Sequence, residues 1–245
     1  MKKILLATAC AIAFGATTPA LADLSGTLSG DYLGLRGQHW NEDHFRLTGV
    51  GAIPLDWNDI SLQGSAQYEY AADHHFDWSE GTFAATAFWT GDDARVALNF
   101  QRTQVLTFST WNSGVGAEYF LAPDWTIAAK GGAWWGTERT AGGYFGGQLT
   151  YYWDPDFSLS ATGDYSKVPN GFDTEIEGRA EYLVWDQISI YGAYTYVDDS
   201  HDPVNLFLIG LKFYCDGDGA TTLVGHHRQG PVGYISTFEP LWFHD

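Results

Sequence analysis

Apolar and polar residues alternate with a period of two along most of the chain beyond residue 23. This is the pattern of strands, whose successive side chains point to opposite faces. The clearest stretch is 173–184. Asp173, Glu175, Glu177, Arg179 and Glu181 fall on one face, and Thr174, Ile176, Gly178, Ala180, Tyr182 and Val184 on the other. A helix would spread those charges around its circumference. Residues 157–166 repeat the scheme, setting Phe157, Leu159, Ala161, Gly163 and Tyr165 against Ser158, Ser160, Thr162, Asp164 and Ser166. The pattern predicts strands near 24–35, 43–54, 60–71, 81–90, 94–102, 112–121, 125–136, 142–153, 157–167, 173–184, 188–198 and 204–214. That makes about twelve, an even number, and a tilted membrane strand needs about 9–11 residues.

The breaks between strands are of two kinds. Tight turns rich in Asp, Gly and Pro lie at Leu55-Asp56-Trp57-Asn58, Thr90-Gly91-Asp92-Asp93, Ala122-Pro123-Asp124, Asp154-Pro155-Asp156 and Asp186-Gln187. Between them come mostly longer polar stretches, as at 37–42, 72–81, 103–110 and 138–142. Short turns at one end and longer loops at the other are the asymmetry of an outer-membrane barrel. Tryptophan placement agrees: Trp57, Trp89, Trp125, Trp153 and Trp185 lie by the short turns, and Trp40, Trp78, Trp111, Trp134 and Trp135 lie toward the opposite ends. Two such belts match two membrane–water interfaces. The expected fold is all-β, a closed antiparallel up-and-down transmembrane β-barrel over residues 23–214.

Composition adds the address. Lys2 and Lys3, the apolar run 4–14 and Ala20-Leu21-Ala22 read as a cleavable signal peptide over residues 1–22. Cys10 also admits lipoprotein processing, which would leave a stunted apolar run before it. Loss of two lysines would take the net charge from −18 to about −20, which argues against nucleic acid as a partner. The mature chain would keep Cys215 as its one cysteine, too few for a cysteine metal site. Aromatics make up 16% of the residues, yet no segment after the leader is a continuous apolar run long enough for a membrane helix. A barrel reconciles the two, because lipid-facing and lumen-facing residues alternate.

From 23 to 214 the chain resembles bacterial outer-membrane β-barrels of the porin-like superfamily. Residues 206–214 resemble their final strand, in which Phe207, Ile209, Leu211 and Phe213 would be the signal read by the barrel-assembly machinery. The resemblance implies an outer-membrane location in a Gram-negative bacterium, with membrane lipids as neighbours. It names no solute and no oligomeric state. Family members usually end at that aromatic, whereas here residues 215–245 follow. This tail, expected on the periplasmic side, reads either as a trailing extension or as a plug or docking segment carrying Phe238, Leu241, Trp242 and Phe243.

With the polar face inward, the lumen would hold Asp31, Glu69, Glu118, Asp164, Asp173, Glu175, Glu177 and Glu181 against Arg46, Arg95, Lys130, Arg179 and Lys212. Such a lining makes a narrow channel for passive diffusion of small solutes, with Glu175, Glu177 and Glu181 favouring cations. The same charges paired across the bore would instead make a structural or adhesive barrel with a blocked lumen. A lipid hydrolase of the outer membrane is a third reading; it would need Ser166 with Asp164, Ser200 with His201, or a serine near His44. A soluble periplasmic barrel would turn the polar stripe outward. His74, His75 and His201, set among aspartates, are weak candidates for a metal. Asp216-Gly217-Asp218-Gly219 lacks the spacing of a complete calcium loop. No cofactor is implied.

Overall fold

Twelve segments realise the alternation as strands: β1 Ser25–Gly37, β2 Asn41–Pro54, β3 Ile60–Ala72, β4 Asp77–Thr90, β5 Ala94–Val105 and β6 Phe108–Ala122, then β7 Trp125–Gly136, β8 Ala141–Asp154, β9 Phe157–Val168, β10 Gly171–Trp185, β11 Ile188–Asp198 and β12 Val204–Tyr214. The computed structural model describes residues 24–37, 41–55, 59–72, 77–105, 108–137, 141–168, 171–198, 203–215 and 220–236. Each strand pairs antiparallel with its sequence neighbours, and β1 pairs with β12 to close the barrel. The closing register runs unbroken from Thr27 opposite Tyr214 to Gly37 opposite Val204. Closure leaves no unpaired strand edge, which a bilayer requires because it offers no water to backbone groups.

The two faces follow the alternation. Outward positions form an apolar belt around the wall, with Phe83, Leu98, Phe145 and Ile209 each more than 60% exposed. An exposed apolar surface of this extent is a lipid-facing one. Phe207, Ile209 and Leu211 of the final strand lie on it. Trp89, Trp153 and Trp185 are exposed at the end of the barrel that carries the termini, and Trp135 is exposed toward the other. Closed fold and apolar exterior together make this an outer-membrane barrel.

Two expectations are corrected. The polar stretches read as longer loops are largely strand. Gln104 pairs with Ser109 and Thr103 with Thr110, and Ala71 pairs with Trp78. The connections are therefore short at both ends, and the expected asymmetry is slight. The physical reason is that strand arms extend past the apolar band into water, where polar residues suit both faces. Trp134 does not join the interface belt: it is buried inside the barrel, while its neighbour Trp135 points out. Adjacent strand residues must face opposite ways. Trp40, Trp57, His74, His75, His201, Ser200, the signal peptide 1–22, the 216–219 motif and the aromatics Phe238, Leu241, Trp242 and Phe243 lie outside the described residues.

Past β12 the chain turns back. The short helix α1, Leu223–Gln229, is capped by the Thr222 side chain, which accepts from the Gly225 amide. It lies across the mouth at the termini end. Leu223 and Val224 donate to Pro155 O in the β8–β9 turn, and the His226 ring is 2.6 Å from Asp186 O in the β10–β11 turn. Residues 230–236 then rise into the bore and end in a 3-10 turn, Tyr234–Ser236.

Candidate functional site in the barrel lumen

All the lumen candidates face inward. A cavity of about 460 Å³ is lined by Glu175, Glu177, Glu181, Arg179, Asp173 and Asp164 from β9 and β10. Glu69, Glu118, Arg46, Arg95 and Lys130 complete the set, with Asp31 and Lys212 beside them. The cavity runs chiefly along the β8–β12 and β1–β3 walls. On the β4–β6 side Thr82, Thr86, Asn99, Gln101, Thr103 and Asn112 are buried instead. Toward the end away from the termini, Leu33, Leu35, Val197, Val204 and Leu206 form an apolar patch on the inner wall.

The charges are not equivalent. Glu181 is buried, 3.2 Å from Lys212 Nζ and 3.7 Å from Arg179. It accepts from the Ser189 hydroxyl at 2.5 Å and from the Tyr214 hydroxyl at 2.6 Å. Arg95 holds Glu118 through Nε at 2.8 Å, and Arg46 holds Asp31 at 2.8 Å. These three carboxylates brace the wall, because their partners satisfy them at close range. Glu181, one of the residues expected to set selectivity, is thus tied to four wall side chains. The cavity still counts eight carboxylates against six Lys and Arg side chains, the tail's Arg228 included.

The tail supplies part of the lining, which pattern reading along the strands does not foresee. Arg95 donates to Gly230 O at 2.9 Å and to His227 O at 2.6 Å, meeting the carbonyl end of α1 where a cation is favoured. Arg228 reaches back to Ala122 O at 2.7 Å and Trp125 O at 3.1 Å. His227 lies between two phenols, Tyr152 at 3.2 Å from Nδ1 and Tyr214 at 3.1 Å from Nε2. Tyr214 gives its own proton to Glu181, so Nε2–H donates to Tyr214 while Nδ1 accepts from Tyr152. Burial holds this imidazole below its ordinary value against the opposing pull of Glu181, which suits the neutral tautomer. Higher in the bore the Tyr234 hydroxyl donates to Asp164 at 2.6 Å, with Lys130 Nζ 4.1 Å from its ring centre. Burial and the Asp164 carboxylate push that phenol well above its usual range.

Of the hydrolase candidates, Ser200 and His201 lie outside the described residues, while His44 and Asp164 have other partners. Both ring nitrogens of His44 face carboxylates, Glu69 at 2.6 Å and Glu42 at 3.1 Å. Asp164 is engaged by Tyr234 and by Lys130, the latter at 3.6 Å. Among the described residues no group of three His, Cys, Asp or Glu is placed to hold a metal ion.

Glycine makes room for the tail. A Cβ on Gly116 would stand 2.5 Å from Ile235 Cβ. Gly116→Val is therefore expected to push residue 235 off the wall, since valine suits the strand itself. Limited proteolysis of the folded barrel, read by mass spectrometry, should show faster cleavage within 220–236. Unchanged protection would mean that the tail shifts without leaving.

No family model matches the chain, and no curated protein matches it. Its likeness is structural. The NanC porin superposes with a TM-score of 0.64 at 15% identity, covering 76% of this chain and 98% of that one. The fold is that of the porin-like outer-membrane barrels. The KdgM porin, solved in complex with disordered oligogalacturonate, matches with a TM-score of 0.60 at 11% identity over the same shares. The translocator domain of the autotransporter NalP from Neisseria meningitidis matches with a TM-score of 0.55 at 11% identity, covering 86% of this chain and 94% of that domain. Porins and a translocator share this porin-like wall, so function must be argued from the lumen.

Proposed function

We propose that the chain is an outer-membrane channel for passive diffusion of small polar solutes, weakly favouring cations. The observation that carries this is the charged, cavity-bearing inner face of a closed barrel whose outer face is apolar. A sealed structural wall has no need of an acidic surplus around open space. Asp173, Glu175 and Glu177 on β10, with Asp164 opposite Glu175 on β9, form the acidic side of the cavity. On this reading residues 1–22 would be removed and both chain ends of the barrel would lie toward the periplasm, with the tail entering the bore from that side. Phe207, Ile209, Leu211 and Phe213 would be the strand read during assembly. The oligogalacturonate of the KdgM complex is a polyanion, which an acidic wall repels, so that solute does not transfer to this chain. A blocked, structural barrel is the second reading, favoured by the tail inside the bore.

The test is single-channel recording across a potassium chloride gradient. Discrete steps with a cation-favouring reversal potential are expected. In Glu175→Gln/Glu177→Gln that potential should move toward zero, with little change in stability because neither side chain is fully buried. A chloride preference would overturn the reading, as would absence of steps both in the unaltered chain and in one whose tail is displaced from the bore.

A further inference from the structure

The tail meets the barrel wall as a ligand meets a receptor. Main-chain carbonyls are taken one after another by wall side chains: His227 and Gly230 by Arg95, Val232 by Gln63 at 3.0 Å, and Ile235 by Asn99 at 3.1 Å. The wall thus reads the tail's backbone as well as its side chains His226, His227, Arg228 and Tyr234. Val232 and Ile235 are almost wholly buried against Ala52, Phe88, Ala97 and Ala128. Those four are inward-facing apolar residues at the termini end, apart from the apolar patch of Leu33, Leu35, Val197, Val204 and Leu206 at the other end. Left open to water, Phe88 and its neighbours would be an exposed apolar patch; the tail removes it. Gly146 opens the same path, since a Cβ there would collide with Asp164 and with the Tyr234 hydroxyl. Backbone donors, an apolar seat and side-chain gaps all coincide along one track.

We infer that the lumen at the termini end is a peptide-binding site whose resident ligand is segment 220–236 of the same chain, and that this segment is a tethered plug holding the pore at low conductance. The plugging half of the inference rests on the channel reading; the binding half does not. Tethering to β12 through residues 215–219 gives the segment a high effective concentration, so modest contacts keep it seated. Yet it is joined to the wall by hydrogen bonds and packing, so a competitor for the tail on the termini side can open the bore.

The experiment uses the full chain. Val232→Asp/Ile235→Asp places two carboxylates in the apolar seat without touching the wall. Its single-channel conductance should rise several-fold over that of the unaltered chain. A synthetic peptide spanning 220–236, added from the termini side, should lower it again, and a peptide with the same two substitutions should not. Equal conductance of the two chains would overturn the plug while leaving the channel reading intact. If neither chain conducts, the channel reading fails, and limited proteolysis then decides the site alone. Cleavage within 220–236 should be slow in the unaltered chain and fast in the double variant. Equally fast cleavage in both would overturn the binding site.

Discussion

Replacing Glu181 with alanine is expected to cost the barrel about 3–5 kcal/mol of unfolding free energy, the usual cost of removing one partner from a buried ion pair. Glu181 is 3% exposed and gathers two cations and two hydroxyls. Alanine would leave Lys212 and Arg179 facing each other with no carboxylate between them. It would also strand the Tyr214 proton and, through it, the Tyr152–His227–Tyr214 relay that seats the helix α1. The lower part of the range is favoured, because Arg179 and Lys212 are 25% and 19% exposed and lumen water recovers part of the loss. Glu181→Gln keeps an acceptor for Ser189 and Tyr214 and should lose less. Denaturant unfolding of the detergent-refolded protein measures both. A loss below about 1 kcal/mol for the alanine variant would place these cations among solvated surface charges, and would make this level of the bore open water.

Strand alternation made the lumen legible. Period two leaves no freedom over which face a residue takes, so every charged candidate from Asp31 to Lys212 lines the cavity as the pattern requires. Two things were less legible. Polarity near strand ends does not mark a loop: Thr103, Gln104, Ser109 and Thr110 are as polar as a loop and still pair. Nor does a charge stripe show which members are bound. Glu177 and Glu181 are alike in sequence, but Glu177 accepts from the Thr195 hydroxyl at 3.3 Å whereas Glu181 reaches Lys212, Ser189 and Tyr214. The tail's berth also has a sign in the sequence. On β4 the inward face runs Thr82, Ala84, Thr86, Phe88, and with Ala52, Ala97 and Ala128 it turns apolar toward the termini end. Residues 230–236 carry Val232 and Ile235 to fill that patch. The depth to which they reach depends on Gly116 and Gly146, whose meaning emerges only when strands distant in sequence are brought together.

Ile209→Arg separates a membrane wall from a water-exposed one more sharply than any lumen change. Ile209 lies midway along β12, opposite Tyr32 of β1 and Gly192 of β11, and is 67% exposed. In water an arginine at so open a position would cost close to nothing, since surface substitutions stay within about 0.5 kcal/mol. At the midplane of a bilayer the same residue costs about 2–4 kcal/mol, and near the interface only about 0–1. Trp185, at the termini end and equally exposed at 67%, supplies the control: Trp185→Arg should cost less than Ile209→Arg although both sit on the same outer face. Urea unfolding of the protein reconstituted in lipid vesicles gives the two values. A graded loss, large at 209 and small at 185, fixes the depth of the wall in the bilayer. Equal and negligible losses would mean that water, not lipid, covers the belt of Phe83, Leu98, Phe145 and Ile209, and would sink both the membrane wall and the channel drawn through it.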